Sequence, residues 1–324
     1  MNLFQKLKKE LGENLKFNEP LKKWTTFRIG GPAKYFFIAK NKEDLIKAIK
    51  IARQLKIPYF ILGGGSNLLV SDKGFKGMVI KIQDSKFKIQ NSRIIASAGI
   101  KLAELVRTAT EIGLAGLEWA AGVPGTLGGA ISGNAGWPSN RKNISAVIEK
   151  VEVLEIKGLR LKIKNFSNKD CQFRYRESIF KHKPNLIILS ATLKLKKWNK
   201  EKIKKNILEI LRSRKDKIPS GFSAGCIFKN WKWEIGSWKL LKRFPQLQSF
   251  KESGIIPAGW LIEKSGLKGK KIGGAKISEK HANFILNEKE AKAKDVLSLI
   301  NLIKKEVYKK FRIKLEEEIK LLGF

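Results

Sequence analysis

Apolar residues return every three or four positions in the first sixteen residues, where Leu3, Phe4, Leu7 and Leu11 share one helical face with lysines set between them. A turn-rich segment, Thr25 to Pro32, then leads into an apolar run, Tyr35 to Ala39, that predicts a strand. From Glu43 to Lys56 the helical period returns with Ile46, Ile49, Ala52 and Leu55 inward, and Pro58 restarts an extended run at Tyr59 to Leu62. These three segments read as strand, helix, strand. Further β-like runs follow at Met78 to Ile82 and Ile94 to Ala98, then a helix burying Leu102, Leu105, Val106, Ala109 and Ile112, with Gly113 as its C′ residue. Val147 to Ile163 predicts two strands around Lys157-Gly158, and Leu186 to Leu195 another strand. Glu201 to Arg214 predicts a helix with Ile203, Ile207, Ile210 and Leu211 inward. Asp216 to Gly225, holding Pro219, Ser220, Gly221 and Gly225, marks a boundary, so two modules meet near residue 215. Beyond it, loops and short strands end in a closing helix, Asp295 to Phe311, with Leu297, Ile300, Ile303, Val307 and Phe311 at its apolar positions. No internal repeat or low-complexity tract is present.

A chain of 324 residues fits two or three domains, and 43% hydrophobic with 30% charged residues is the composition of a globular protein. The longest apolar run is about that of Leu186 to Leu189, far short of the roughly 18 to 20 residues that span a bilayer, so no membrane insertion is expected. The first segment has no continuous apolar h-region, which points to the cytoplasm. Cys171 and Cys226 form no CxxC pair, and the histidines are only His182 and His281, so neither a metal site nor a disulfide framework is expected. The spacing leaves one Cys171–Cys226 bridge open, against which a reducing compartment argues.

The balance of 67 basic and 29 acidic residues gives +38, which raises nucleic acid or anionic lipid as partners. Only 12 of the 67 are arginine, and the lysines are scattered through every stretch of the chain, which favours compositional bias over a binding stripe. One segment interleaves aromatic and basic residues: Trp231, Trp233 and Trp238 with Lys229, Lys232 and Lys239. No specific nucleic-acid partner is expected, whereas a positive field would steer small anionic substrates.

Two glycine-rich segments carry the first chemical signal. Gly63-Gly64-Gly65-Ser66-Asn67 follows an apolar strand, and its spacing fits neither GxGxxG nor GxxxxGK[ST]. Alone, it suits either a tight turn or a nest of backbone amides for a diphosphate. The second runs from Gly122 through Val123, Pro124, Gly125, Thr126, Gly128, Gly129 and Ala130 to Gly133, Asn134, Ala135 and Gly136, in a stretch almost free of lysine. A surface turn needs one or two glycines, whereas a planar cofactor against main chain needs a wall without side chains.

Several motifs in order along the chain resemble the UDP-N-acetylmuramate dehydrogenase family, also called UDP-N-acetylenolpyruvoylglucosamine reductase. They are Thr25 to Ala33, GGGSNLLVSD at 63–72, EWAAGVPGTLGGA at 118–130, CQFRYRESIF at 171–180, SAGCIFKN at 223–230 and AGWLIEK at 258–264. The resemblance implies an α+β flavoprotein. Residues 1–215 would form an FAD-binding module of the vanillyl-alcohol-oxidase (PCMH) type in two lobes, with its core at about 27–197. Residues 216–324 would form a smaller α+β substrate module. It implies NADPH as reductant of FAD, and reduction of the enolpyruvyl group of UDP-N-acetylglucosamine enolpyruvate in peptidoglycan precursor synthesis. The partner is then a small nucleotide sugar, and the protein a monomer.

By the same resemblance, the two glycine segments, 63–67 and 122–136, hold the cofactor, and Arg176 is the catalytic arginine, its permanent charge holding the substrate carboxylate. Tyr175 is its neighbour, facing the opposite way if both lie on a strand. Cys226 stands where the family carries a proton-donating serine. A thiol, with an ordinary pKa of about 8.5, releases a proton at least as readily as a hydroxyl. Glu318 best fits the family's terminal glutamate, with Glu316 and Glu317 in adjacent registers, and its implied role is to assist proton transfer. Lys217, Lys229 and Asn230 are candidate contacts to the nucleotide sugar. The short stretch from Arg176 to Cys226 implies the class that lacks a tyrosine-bearing loop. His281 lies in a strand-like segment and His182 in a lysine-rich turn, neither with an evident role. One rival reading is another oxidoreductase on the same FAD module with a different substrate, against which residues 223–230 and 258–274 speak. The other is a basic nucleic-acid-binding protein, which predicts a colourless preparation.

Overall fold

The computed structural model describes residues 2–137, 142–232 and 243–324. The chain forms two compact units: Met1–Glu19 with Ala33–Gly65 and Phe75–Asp216, and Pro20–Pro32 with Ser66–Gly74 and Lys217–Phe324. Sequence reasoning places one boundary near 215 and assigns everything before it to the first module. The chain does leave the first unit after Asp216, but two earlier segments belong to the second, because each is tied there by main-chain contacts.

In the first unit a four-stranded sheet runs in the order Leu15–Pro20, Pro32–Ala39, Phe75–Ile82, Tyr59–Leu62. The strand, helix, strand segment is present, yet its two strands do not pair with each other. Phe75–Ile82 lies between them, parallel to both, with Val79 opposite Phe36 on one side and Phe60 on the other. That central strand buries Met78, Val79 and Ile80 completely, as a strand covered on both faces must. The helix Lys42–Gln54 starts at Asn41, whose side chain accepts from Asp44 N at 2.7 Å. It buries Leu45, Ala48, Ile49 and Ala52, while Leu55, expected inward, is exposed because the helix ends one residue before it.

A second, antiparallel sheet in this unit has the order Arg160–Ser167, Ile148–Lys157, Leu186–Lys194, Arg93–Ser97, Phe87–Gln90. Lys157 pairs with Arg160 around a two-residue turn that Gly158 enters at φ +58°. Two helices depart from the expected faces. Ile112 follows the helix Leu102–Glu111 and is exposed. In Lys200–Lys217 the inward stripe is Ile203, Ile207, Ile210 and Arg214, with Leu211 turned to solvent. An arginine occupies the inner position of the last turn.

In the second unit, Leu68–Val70 pairs in parallel with Lys320–Leu322, joining segments about 250 residues apart. The closing helix, Ala293–Phe311, buries Val296, Leu299, Ile300, Ile303, Val307 and Phe311. Its first amides are capped from a distance in sequence: Asp72 Oδ1 accepts from Ala293 N at 2.8 Å and Oδ2 from Lys294 N at 3.2 Å. A carboxylate there also complements the helix dipole. Phe27, Leu69, Ile227, Phe228 and Leu261 complete the core. Gly31, Gly74 and Gly323 allow three strands of main chain to touch: a Cβ on them would strike Asp72 O, Pro32 O and Gly74 O respectively.

Candidate active site

In the first unit the two glycine segments meet. A Cβ at Gly64 would lie 2.5 Å from Gly125 Cα, and one at Gly63 would lie 2.6 Å from Thr126 Oγ1. Backbone therefore packs on backbone at this point, while Gly122 and Gly129, further along, remain exposed. Thr126 precedes the short helix Leu127–Ser132, whose first amides are already engaged: Leu127 N donates to Ile100 O and Gly128 N to Ala98 O. Among the described residues, two buried polar atoms here have no hydrogen-bond partner, Thr126 Oγ1 and Trp119 Nε1. Buried orphans are rare in native structures and call for a ligand or an explanation. Lys81, from the central strand, donates to Gly63 O. Burial pushes its pKa down to about 8, and the neighbouring positive charge of Lys101 adds to the effect.

The far end of the same glycine segment holds Arg176. Arg174 N donates to Glu177 O at 3.0 Å and Glu177 N to Arg174 O at 3.1 Å, so Tyr175 and Arg176 are the two corners of a tight turn. The two residues do not lie on a strand, so the alternation of side chains conditional on one does not arise. Instead the Arg176 guanidinium carbon lies 5.7 Å from the centre of the exposed Tyr175 ring. Arg176 adopts φ +56°, a conformation that costs a non-glycine residue roughly 1–2 kcal/mol. Such a corner persists only where its surroundings over-determine it. Arg176 Nη1 donates to Gly136 O at 3.1 Å, Ser178 Oγ to Ser132 O at 2.7 Å, and the buried Asn134 gives its Nδ2 to Arg174 O at 2.8 Å. Sequence reasoning missed Arg214. It is buried, donates from Nη2 to Trp119 O at 2.9 Å, and has its pKa pushed down to about 10 by burial and by the positive charge of Arg176.

The second unit gathers the other predicted residues around one extended strip, Cys226 to Lys229. On one side Cys226 bridges Phe284, and on the other Phe228 bridges Glu317. Glu318 N donates to Ile227 O at 2.8 Å and Lys229 N to Glu316 O at 2.9 Å, which sets the terminal segment antiparallel to the strip. Asn67 Nδ2 donates to Glu318 O at 3.0 Å. The side chains of Glu316 and Glu317 are engaged in ion pairs with Lys229 and Lys304, each at 2.5 Å. Asn230 Oδ1 accepts from Ala258 N, at the start of the helix Ala258–Lys264. Lys217 is exposed at the end of the helix Lys200–Lys217. Cys226 is partly buried and Cys171 fully so, and neither forms a disulfide. Trp231 pairs with Ile256 in a short strand, while Trp233, Trp238 and Lys239 lie outside the described residues.

Comparison with known proteins decides the identity. Residues 217–322 match the family described as UDP-N-acetylenolpyruvoylglucosamine reductase, C-terminal domain, and residues 33–164 match an FAD binding domain. The UDP-N-acetylenolpyruvoylglucosamine reductase of Caldanaerobacter subterraneus subsp. tengcongensis is 43% identical over 99% of this chain and 98% of its own. That of Clostridioides difficile is 37% identical over 100% of this chain and 97% of its own. The chain belongs to the UDP-N-acetylenolpyruvoylglucosamine reductase family. A crystal structure of the Thermus caldophilus reductase superposes with a TM-score of 0.74 at 33% identity, covering 95% of this chain and 98% of the other.

The first unit fits the cofactor that its FAD-binding match implies. It offers a buried hydroxyl and a buried indole N–H awaiting partners, main chain left open at the exposed Gly129, and a lysine beside Gly63. In the reductase family framework, the glycine motif at 63–65 and the Arg176 motif belong to one unit, and Cys226, Asn230 and Glu318 to the other. Among the described residues, no helix is long and apolar enough to cross a membrane, and no cluster of His, Cys, Asp or Glu is arranged to hold a metal ion.

Proposed function

We propose that this chain reduces the enolpyruvyl group of UDP-N-acetylglucosamine enolpyruvate to the lactyl ether of UDP-N-acetylmuramate, in peptidoglycan precursor synthesis, with Arg176, Cys226 and Glu318 as its catalytic residues. FAD, when bound, supplies a hydride taken from NADPH. Gly63 to Asn67 and Gly122 to Gly136 bind the cofactor, with Thr126 offering its unused hydroxyl. Arg176 holds the substrate carboxylate as negative charge spreads onto it, the kind of fixed charge that lowers a barrier most when it needs no reorganisation. The strain and tethering of its turn supply that rigidity. The Cys226 thiol delivers the proton that completes addition across the double bond, and is itself reprotonated from solvent. Glu318 assists the transfer from the adjoining segment. Tyr175, Lys217, Lys229 and Asn230 contact the nucleotide sugar, Lys229 after exchanging its ion pair with Glu316. The enzyme is of the class without the tyrosine-bearing loop, and acts as a cytoplasmic monomer.

One observation supports this reading above the others: full-length membership of the family, with a thiol at the position of the family's serine and the terminal glutamate segment paired to the same strip. The purified protein is expected to be yellow, to bleach under NADPH, and to recover its colour on adding the enolpyruvyl nucleotide. Cys226→Ala is expected to keep the bleaching and to slow the recovery by about 10² to 10⁴-fold, the usual contribution of a proton donor. A colourless preparation, or one that NADPH cannot bleach, refutes the assignment.

A further inference from the structure

Cys226 is reached through a corner at Gly225, which sits at φ +79° with open space where a side chain would be. Residues 227 and 228, on its carboxy-terminal side, are held on one edge by the terminal segment and on the other by a single residue, Asn283. Asn283 is 2% exposed and uses every polar group it has. Its Oδ1 accepts from Phe228 N at 2.9 Å and its Nδ2 donates to Phe228 O at 2.8 Å, so the amide pairs with that residue as a neighbouring peptide strand would. Its own carbonyl accepts from Ile227 N at 2.9 Å. Its own N–H donates to His281 Nδ1 at 3.2 Å.

The imidazole that receives that N–H is fixed in turn. It packs edge-on to Phe284 at 5.0 Å, and a Cβ on Gly259 would come within 3.1 Å of its Cε1. Burial holds His281 below the usual imidazole range, its backbone hydrogen bond and Glu263 opposing the effect and Lys268 adding to it, which favours the neutral ring whose Nδ1 accepts from Asn283 N. Phe284, next after Asn283, bridges Cys226 itself. The segment His281 to Phe284 thus grips residues 226 to 228 from one side by four contacts, three of them through Asn283.

We propose that Asn283 is a positioning residue for the proton donor: its amide clamp on Phe228, backed by His281, fixes where the Cys226 thiol points. This rests on the reading of Cys226 as donor. A satisfied buried amide of this kind is costly to half-remove, because each lost partner leaves another group unpaired. Placement matters here because misdirecting a reacting group by an ångström can cost about 100-fold in rate.

The test separates the two half-reactions in the FAD-loaded enzyme and reads the thiol directly. In Asn283→Ala, flavin bleaching by NADPH stays within about twofold of the unaltered enzyme, while recovery on adding the enolpyruvyl nucleotide slows by about 100-fold. Iodoacetamide supplies a readout independent of turnover. Cys171 is fully buried with its pKa pushed up to about 12, so alkylation reports Cys226, and its rate is expected to rise severalfold once the strip is loosened. Asn283→Asp gives a second arm should the alanine variant fail to fold. A protonated carboxyl can donate to Phe228 O as the amide does and a carboxylate cannot, so its turnover relative to the unaltered enzyme climbs about tenfold from about pH 8 to about pH 6. Unchanged recovery and alkylation in Asn283→Ala, or a pH-independent ratio in Asn283→Asp, overturns the proposal. Full activity in Cys226→Ala removes the donor reading instead, and the two failures are thereby told apart.

Discussion

Glycines crowd together in two places in this chain, and for different reasons. In the second unit, Gly31, Gly74 and Gly323 let three pieces of main chain touch, and each absent Cβ is accounted for by a protein atom. In the first, Gly64 packs on Gly125 and Gly122 on Leu211 in the same way, but Gly129 is exposed with only Thr126 Oγ1 near it, and among the described residues Thr126 Oγ1 and Trp119 Nε1 are buried with nothing to bond. Glycine density alone therefore does not mark a ligand site. What separates the two regions is the unspent hydrogen-bonding capacity left beside the first.

The sharpest way to break this contrast is Arg176→Gly. If the first region is built for chemistry, losing the guanidinium lowers turnover by about 10² to 10³-fold. Releasing its left-handed corner leaves stability unchanged or raises it by about 1 kcal/mol. Steady-state rates and urea denaturation of the same preparation check both halves. Gly31→Ala should do the reverse, costing about 3 kcal/mol in urea denaturation, because Asp72 O and Gly74 N stand where the methyl must go. Gly129→Ala isolates the ligand-facing role. Only Thr126 Oγ1, at 3.6 Å, lies near the new methyl. In a helix interior alanine stabilises by about 0.5–1 kcal/mol, while flavin retention on gel filtration should fall.

The smallest effect concerns Lys81. Its folded pKa of about 8 lies below the ordinary 10.5, so between those values the unfolded chain binds the extra proton and folding becomes more favourable as pH rises. Below about 8 both forms are charged, and the burial cost is fully present. The difference in denaturation midpoint between the unaltered flavin-free protein and Lys81→Met should therefore shift in favour of the unaltered protein from about pH 8 to about pH 10.5.

Periodicity identified the long helices and most strands because burial on one face leaves a regular trace. It failed at element ends, where Leu55 and Ile112 fall just past their helices and turn outward. It also failed where an interior position is polar: Arg214 completes a stripe that the pattern assigns to Leu211. The turn at Tyr175 and Arg176 leaves no trace, since a left-handed arginine is dictated by tethers from Asn134 and Gly136 forty residues earlier. The glycine segments stood out by composition, whereas the catalytic and substrate candidates were legible only through motif resemblance. Asn283 was not, because one asparagine in a loop carries no period, and its four hydrogen bonds exist only once residues 226 to 228 lie beside it.

The threading of Pro20–Pro32 and Ser66–Gly74 into the second unit bears on biosynthesis. Leu68–Val70 waits for a partner encoded only at Lys320–Leu322, so that pairing cannot form until residue 322 has been synthesised. A fragment beginning at Lys217 would lack the strand and the Asp72 cap that its final helix uses. The carboxy-terminal half is thus a poor candidate for separate expression, and the amino-terminal half must carry two unsatisfied strips while it waits.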